Sequence, residues 1–116
     1  MVVVAARSYL GVPYGWGGTS RDGLDCSGLV LLSFAVVGIQ MPRVAVDQAQ
    51  KGVAVPSLAA AQPGDLLAYG GSMTTVDHIA IYSGNGKMIE APHAGTVVRE
   101  VPARSGDLVG VRRATR

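Results

Sequence analysis

The stretch Asp25-Cys-Ser-Gly-Leu-Val-Leu-Leu-Ser-Phe-Ala-Val-Val37 decides the fold. It is apolar almost all round, so its pattern predicts a buried helix. Asp25 stands where an N-cap belongs. Gly38 stands where a left-handed C-terminal cap belongs, and Pro42 blocks any continuation. Upstream, residues 2–10 are apolar apart from Arg7 and Ser8, and read as a short helix stopped by Gly11-Val-Pro13. Residues 14–23 hold four glycines and read as a loop. Downstream, residues 47–51 read as one more helical turn, and Gln62-Pro-Gly-Asp65 as a structural turn. Residues 65–69, 78–82, 87–91, 96–101 and 108–112 read as strands, with Ser83-Gly-Asn-Gly86 as a hairpin turn between the second and third. Helices come first and an antiparallel sheet follows, which makes the fold class α+β.

The chain has 116 residues, enough for a single domain over 1–116 with a core of its own. A net charge of +2, without any block of like charge, gives no footprint for nucleic acid. One cysteine excludes an intramolecular disulfide. The longest apolar run, residues 29–37, is too short to cross a bilayer and is broken by Ser33, so no membrane insertion is expected. Met1-Val-Val-Val-Ala-Ala6 lacks the basic start of a signal peptide. The chain is therefore either not exported by that route or excised from a longer exported protein. Arg112, Arg113 and Arg116 read as a solvated basic terminus, the alternative being weak attraction to an anionic polymer.

Cys26 carries the chemistry. It opens a helix, where unpaired N–H groups and the positive end of the dipole favour a thiolate, the nucleophilic form. Glycines precede it and Ser27 and Gly28 follow, so a substrate backbone has room to approach. A nucleophile needs a base, and the chain holds two histidines. His78 begins the most strand-like segment, whereas His93 lies in a turn, so His78 is the expected base. Hairpin register offers two orienting partners. A turn centred on Gly84 sets His78 opposite Glu90, and an Asn85-Gly86 turn sets it opposite His93. Asp77 is weaker, because a strand neighbour points to the other face. Two histidines and one cysteine match no familiar zinc spacing, so no metal is expected.

In order and spacing, Pro13-Tyr-Gly-Trp-Gly-Gly18, Asp25-Cys-Ser-Gly-Leu29, Pro42-Arg43, Gln62-Pro-Gly-Asp-Leu66 and His78-Ile-Ala-Ile-Tyr82 with Gly84-Asn-Gly86 closely resemble the NlpC/p60 family of bacterial cell-wall cysteine peptidases. The resemblance runs from about Ala5 to Arg113. It implies a papain-like fold in which the nucleophile helix packs on an antiparallel sheet. It also implies hydrolysis of the γ-D-glutamyl–diaminopimelate bond of wall stem peptides through a thioester. The family nucleophile falls on Cys26, the base on His78 and the third position on Glu90, where many relatives carry histidine and others a polar or acidic residue. Tyr14 takes the place of the tyrosine beside the sulfur and becomes an oxyanion donor with the Cys26 amide.

For the substrate, the resemblance gives Asp25 and Ser27 the role of holding a peptide amine, and brings Trp16, Arg43 and His93 to the binding cleft. Each has a plainer reading from sequence alone. Tyr14 and Trp16 are core aromatics, Asp25 an N-cap, Arg43 and Gln48 surface groups, and Glu90 a solvated strand end. The resemblance further implies a monomer acting outside the cytoplasm on peptidoglycan, with no cofactor. Two alternatives share the motifs: a non-catalytic peptidoglycan-binding module, and a same-fold thiol amidase or acyltransferase.

Overall fold

The structure, a computed structural model, describes residues 1–114. Helix α1 (Val2–Arg7) buries Val3, Ala5 and Ala6. It ends three residues short of the expected 2–10. After Arg7 the N–H groups of Tyr9 and Leu10 reach back only three residues, to Ala6 and Arg7, so the chain tightens out of α geometry. A two-strand ladder, β1 (Thr19–Ser20) and β2 (Gly23–Leu24), closes the glycine-rich loop.

Helix α2 (Cys26–Val36) forms where expected. The Asp25 carboxylate caps it, accepting the Gly28 N–H at 2.7 Å. Gly38 follows with φ +78. The expectation of a fully buried helix is corrected. Leu29, Val30, Ser33 and Phe34 are buried, but Leu31 and Leu32 are half-buried and Val36 is exposed. The sheet and α1 cover only one side of α2, and its apolar pattern is wider than that.

Gly28 is indispensable by contact. A Cβ there would collide with the Gly18 carbonyl oxygen and lie 2.9 Å from the capping Asp25 oxygen. Gly28→Ala is expected to cost about 1–3 kcal/mol, as overpacking against backbone does. A urea midpoint lowered at constant m-value checks it.

A third helical segment, α3 (Ala45–Gln48), starts two residues before the expected turn. Gln48 is not the surface group its polarity indicates. It is fully buried, and its Nε2 donates to the Ser27 and Pro42 carbonyls at 3.0 and 2.8 Å. It ties the chain beyond α2 to the turn that carries Cys26.

The sheet contains β3 (Val53–Val55), β4 (Leu66–Gly70), β5 (Val76–Gly84), β6 (Lys87–Glu90), β7 (Arg99–Pro102) and β8 (Leu108–Arg113). It is antiparallel throughout, in the order β3-β8-β4-β5-β6-β7. Strand β3 has no counterpart in the sequence reading, since three residues are too few to show a period. Strand β7 begins three residues later than expected. The residues before it bond elsewhere: Val98 N–H to Val12, and the Thr96 carbonyl to Tyr14 N–H. Ile79, Ile81 and Ile89 meet α1 and α2 on one face. Leu67, Tyr69, Ala80, Met88 and Val111 form a second core on the other.

The β5–β6 hairpin turns on Asn85 and Gly86, both with positive φ, so that Gly84 pairs with Lys87. A bulge at Ser83 then shifts the pairing to Tyr82 with Met88 and Ile81 with Ile89. Neither register considered above therefore holds. Continued by one pair, the observed register sets Glu90 beside Ala80, which makes His78 and Glu90 diagonal neighbours on one face.

The basic terminus is also corrected. Arg112 and Arg113 lie in β8, inside the sheet. Arg112 donates to the carbonyls of Gln50, Lys51 and Gly52, and Arg113 makes a bidentate pair with the buried Asp65. Asp65 also accepts the Gln62 N–H, so the Gln62–Asp65 turn anchors the last strand. Arg116 lies outside the described residues.

Candidate active site

Cys26 sits in the first turn of α2 and is half-buried. Its backbone N–H has no partner among the described residues, as the first donor of a helix should not. It shares a cavity of about 390 Å³ with Tyr14, Asp77, His78, Pro92, His93, Arg99 and Arg104. A larger cavity of about 470 Å³ lies against β3 and β8, where Val55, Pro56, Leu58 and Val111 line it and neither cysteine nor histidine is present. The cysteine and both histidines belong to the smaller one.

His78 stands near the start of β5 with its side chain 12% exposed. Its Nε2 is 2.8 Å from the Glu90 Oε1. Its ring tilts against the Tyr69 ring, centroids 5.8 Å apart. Burial alone would lower the His78 pKa. Hydrogen bonds to Cys26 and Glu90, together with the charges of both, outweigh burial and raise it from 6.5 to about 9. Glu90 thus bonds one ring nitrogen, and Cys26 lines the same cavity as the ring.

Glu90 is not a solvated strand end: it is fully buried at the end of β6. Besides His78 it accepts Arg99 Nε and Nη2 at 3.0 and 2.9 Å, and Arg104 Nη1 at 3.1 Å. Burial alone would raise the Glu90 pKa. The hydrogen bonds from His78, Arg99 and Arg104 overcome it and hold the carboxyl at about 2. Of the two orienting groups left open, Glu90 is the one that bonds His78. His93 is exposed, and its Nδ1 lies 3.0 Å from the Ala94 carbonyl. Asp77 is exposed at the rim of the cavity.

Tyr14 is held from both sides. Its N–H bonds to the Thr96 carbonyl, and its backbone bridges to Leu24 next to the nucleophile turn. Burial raises its pKa, with the charges of Cys26 and Asp25 adding to the effect. Its hydroxyl thus stays protonated at neutral pH and available to donate. Tyr14 is half-buried and Trp16 is 90% exposed, so Trp16 is not a core aromatic. Glycines on both sides of it leave no apolar wall for the indole to rest on.

Asp25 does more than cap α2. Its Oδ2 accepts Gly17 N–H and Arg43 Nη2, at 2.9 and 3.0 Å, and its Oδ1 accepts Ser27 Oγ and Arg43 Nη1. Arg43 also donates to Ser27 Oγ at 2.7 Å. Burial alone would raise the Asp25 pKa. The Arg43 hydrogen bond and charge and the Gly28 and Gly17 N–H groups hold it below its usual value. Arg43 is thus no free surface group, and a substrate amine at Asp25 and Ser27 has to share their oxygens with it.

Arg99 and Arg104 are the site residues that the sequence reading missed. Arg99 faces Glu90 directly across β6 and β7. That signal exists only once the strands are paired. Arg104 comes from the loop after β7 and stacks its guanidinium 4.4 Å from the Tyr69 ring centroid, while the Tyr69 hydroxyl donates to its carbonyl. No local pattern announces it.

Comparison with known proteins gives the same fold. The sequence model of the NlpC/P60 family matches residues 11–113. Peptidoglycan endopeptidase RipA of Mycobacterium tuberculosis is 39% identical over 120 residues, covering 92% of this chain and 25% of RipA. A solved NlpC/P60 family protein from Bacillus cereus superposes with a TM-score of 0.90 at 35% identity, over 97% of this chain and 38% of the other. The solved peptidoglycan hydrolase RipB of Mycobacterium tuberculosis superposes with a TM-score of 0.89 at 38% identity, over 99% and 63%. The chain spans between about a quarter and a half of the length of the curated relatives it matches.

Proposed function

Because this chain belongs to the NlpC/P60 family, we propose that it is a cysteine peptidase of the cell wall that hydrolyses the bond between γ-D-glutamate and diaminopimelate in peptidoglycan stem peptides. The observation that carries the reading is that Cys26 and His78 line one cavity and that His78 is bonded at 2.8 Å to the buried Glu90. The relatives named as peptidoglycan endopeptidases support the substrate class.

In this reading Cys26 reacts as the thiolate, its proton held by His78. The thiolate attacks the γ-carbonyl carbon, and the negative charge moves to the carbonyl oxygen. The Tyr14 hydroxyl and the Cys26 N–H bond that oxygen. As the tetrahedral centre collapses, the C–N bond breaks and His78 gives its proton to the leaving amine. The Cys26 thioester remains. Neutral His78 then takes a proton from water, whose oxygen attacks the thioester carbon, and the acid leaves as thiolate and imidazolium re-form. Glu90 fixes the ring and stabilises the imidazolium without itself taking the proton. Action on the wall places the protein outside the cytoplasm. Among the described residues, no helix is long and apolar enough to cross a membrane.

Diaminopimelate-type peptidoglycan incubated with the wild type and with Cys26→Ala, the fragments read by mass spectrometry, tests the reading. Fragments split between D-glutamate and the diamino acid are expected from the wild type alone. Scission only at a different bond sinks the substrate assignment, and equal release by Cys26→Ala sinks the nucleophile.

A further inference from the structure

Two arginines for one carboxylate is more than the Glu90 site needs. Arg99 gives Nε and Nη2 to one Glu90 oxygen, and Arg104 gives Nη1 to the other. Each guanidinium carries five N–H groups. Arg99 Nη1 and Arg104 Nη2 donate to nothing among the described residues. Both side chains are buried only in part, 44% and 42% exposed, and both line the cavity that holds Cys26. Two guanidinium groups and His78 stand on this wall against Glu90 and the exposed Asp77. Asp77, at the rim, bonds neither arginine.

The direction of the cleft follows from the chemistry. His78 has to reach the leaving nitrogen, so the leaving half of a bound peptide lies on the His78 side of Cys26. Arg99 and Arg104 stand on that side, around Glu90. Asp25, Ser27 and Arg43 bond one another around the first turn of α2 and do not line that cavity.

We propose that Arg99 and Arg104 form a carboxylate subsite for the leaving half of the substrate, their unpaired N–H groups taking the free carboxylate of the diamino acid. This deepens the endopeptidase reading and rests on it. A guanidinium pair suits a carboxylate because planar N–H groups meet two oxygens at once. A carboxamide at the same place loses one acceptor and the charge. The cleft would then separate peptides with a free carboxylate from amidated ones, with no change in the scissile bond.

Two synthetic stem peptides, identical except for carboxylate or carboxamide on the leaving diamino acid, test this with wild type, Arg99→Gln and Arg104→Gln. The wild type is expected to favour the carboxylate about 10- to 100-fold in kcat/KM, mostly through KM, as a charged hydrogen bond does. Each variant is expected to bring that ratio towards one. The ratio is taken within one protein, so a loss of folded protein cancels. If the wild type cleaves both peptides equally, the subsite is overturned and the endopeptidase reading stands. If the variants slow both peptides alike and keep the ratio, the arginines serve only to hold Glu90, and the subsite is again overturned. If the wild type cleaves neither, the endopeptidase reading falls and the subsite falls with it.

Discussion

Glu90→Gln is expected to lose both stability and turnover, and to move the alkaline limb of kcat/KM downwards. The buried carboxylate serves three cationic groups at once. An amide of the same shape keeps the volume and removes the charge that satisfies them. Breaking a buried pair on one side costs about 3–5 kcal/mol, and the arginine heads can partly turn to water, so about 2–4 kcal/mol is expected here. The pH dependence has a definite sign. Glu90 has a depressed pKa, so its stabilisation is complete above pH 4.5 and is lost as pH falls through about 2. His78 has a raised pKa, so its stabilisation is complete below pH 6.5 and is lost as pH rises through about 9. Wild type and variant should therefore differ most between these windows, near pH 5.5, in urea melts. For activity, loss of the imidazolium proton removes the acid that serves the leaving amine, so wild-type kcat/KM falls above about pH 9. Without the Glu90 charge, that limb should drop by about one to two pH units. A limb that stays in place would remove Glu90 from the catalytic row.

The second large effect is expected at His78. His78→Ala leaves the sulfur, the helix terminus and the oxyanion donors in place, but removes the imidazole that shares the cavity with Cys26 and bonds Glu90. Single losses from such rows cost several orders of magnitude, and a fall in kcat of about 10³- to 10⁵-fold is expected, with KM little changed. The fold should lose far less, about 1–2 kcal/mol, because Glu90 keeps both arginines. Steady-state kinetics beside thermal melts separate the two. His93→Ala is the comparison: that ring lines the cavity but lies exposed and bonds only locally, so a far smaller loss of kcat is expected. An equal loss in both variants would contradict the assignment of His78 as the acid and base.

The nucleophile turn was legible because its signals are local: the Asp25 cap, the apolar run behind Cys26 and the glycines ahead of it all act within a few residues. The same is true of His78 at the head of a β-rich segment. What fixes the partner of His78 is not local. The bulge at Ser83 inserts one residue between turn and ladder, and nothing in Ser83-Gly-Asn-Gly86 marks it. The burial of Glu90 depends on Arg99, nine residues away and visible only across paired strands, and on Arg104 from a loop. Gln48, Arg112 and Arg113 hide their roles in the sequence for a related reason. Polar residues read as surface until tertiary contacts supply partners, and each of these has backbone carbonyls or a buried carboxylate to bond. Helix α2 erred in the opposite sense, since an apolar pattern does not reveal how much of it is covered.

The central claim is that the Cys26 sulfur carries the acyl half of the peptide between bond breaking and hydrolysis. Rapid acid quench of enzyme mixed with a diaminopimelate stem peptide, followed by intact-mass analysis and fragment mapping, tests it directly. The account predicts a transient mass increase equal to the acyl half, mapped to the fragment that contains Cys26. It predicts no such adduct and no product with Cys26→Ala. Product formation at an undiminished rate by Cys26→Ala, or an adduct mapped to any other residue, would contradict it.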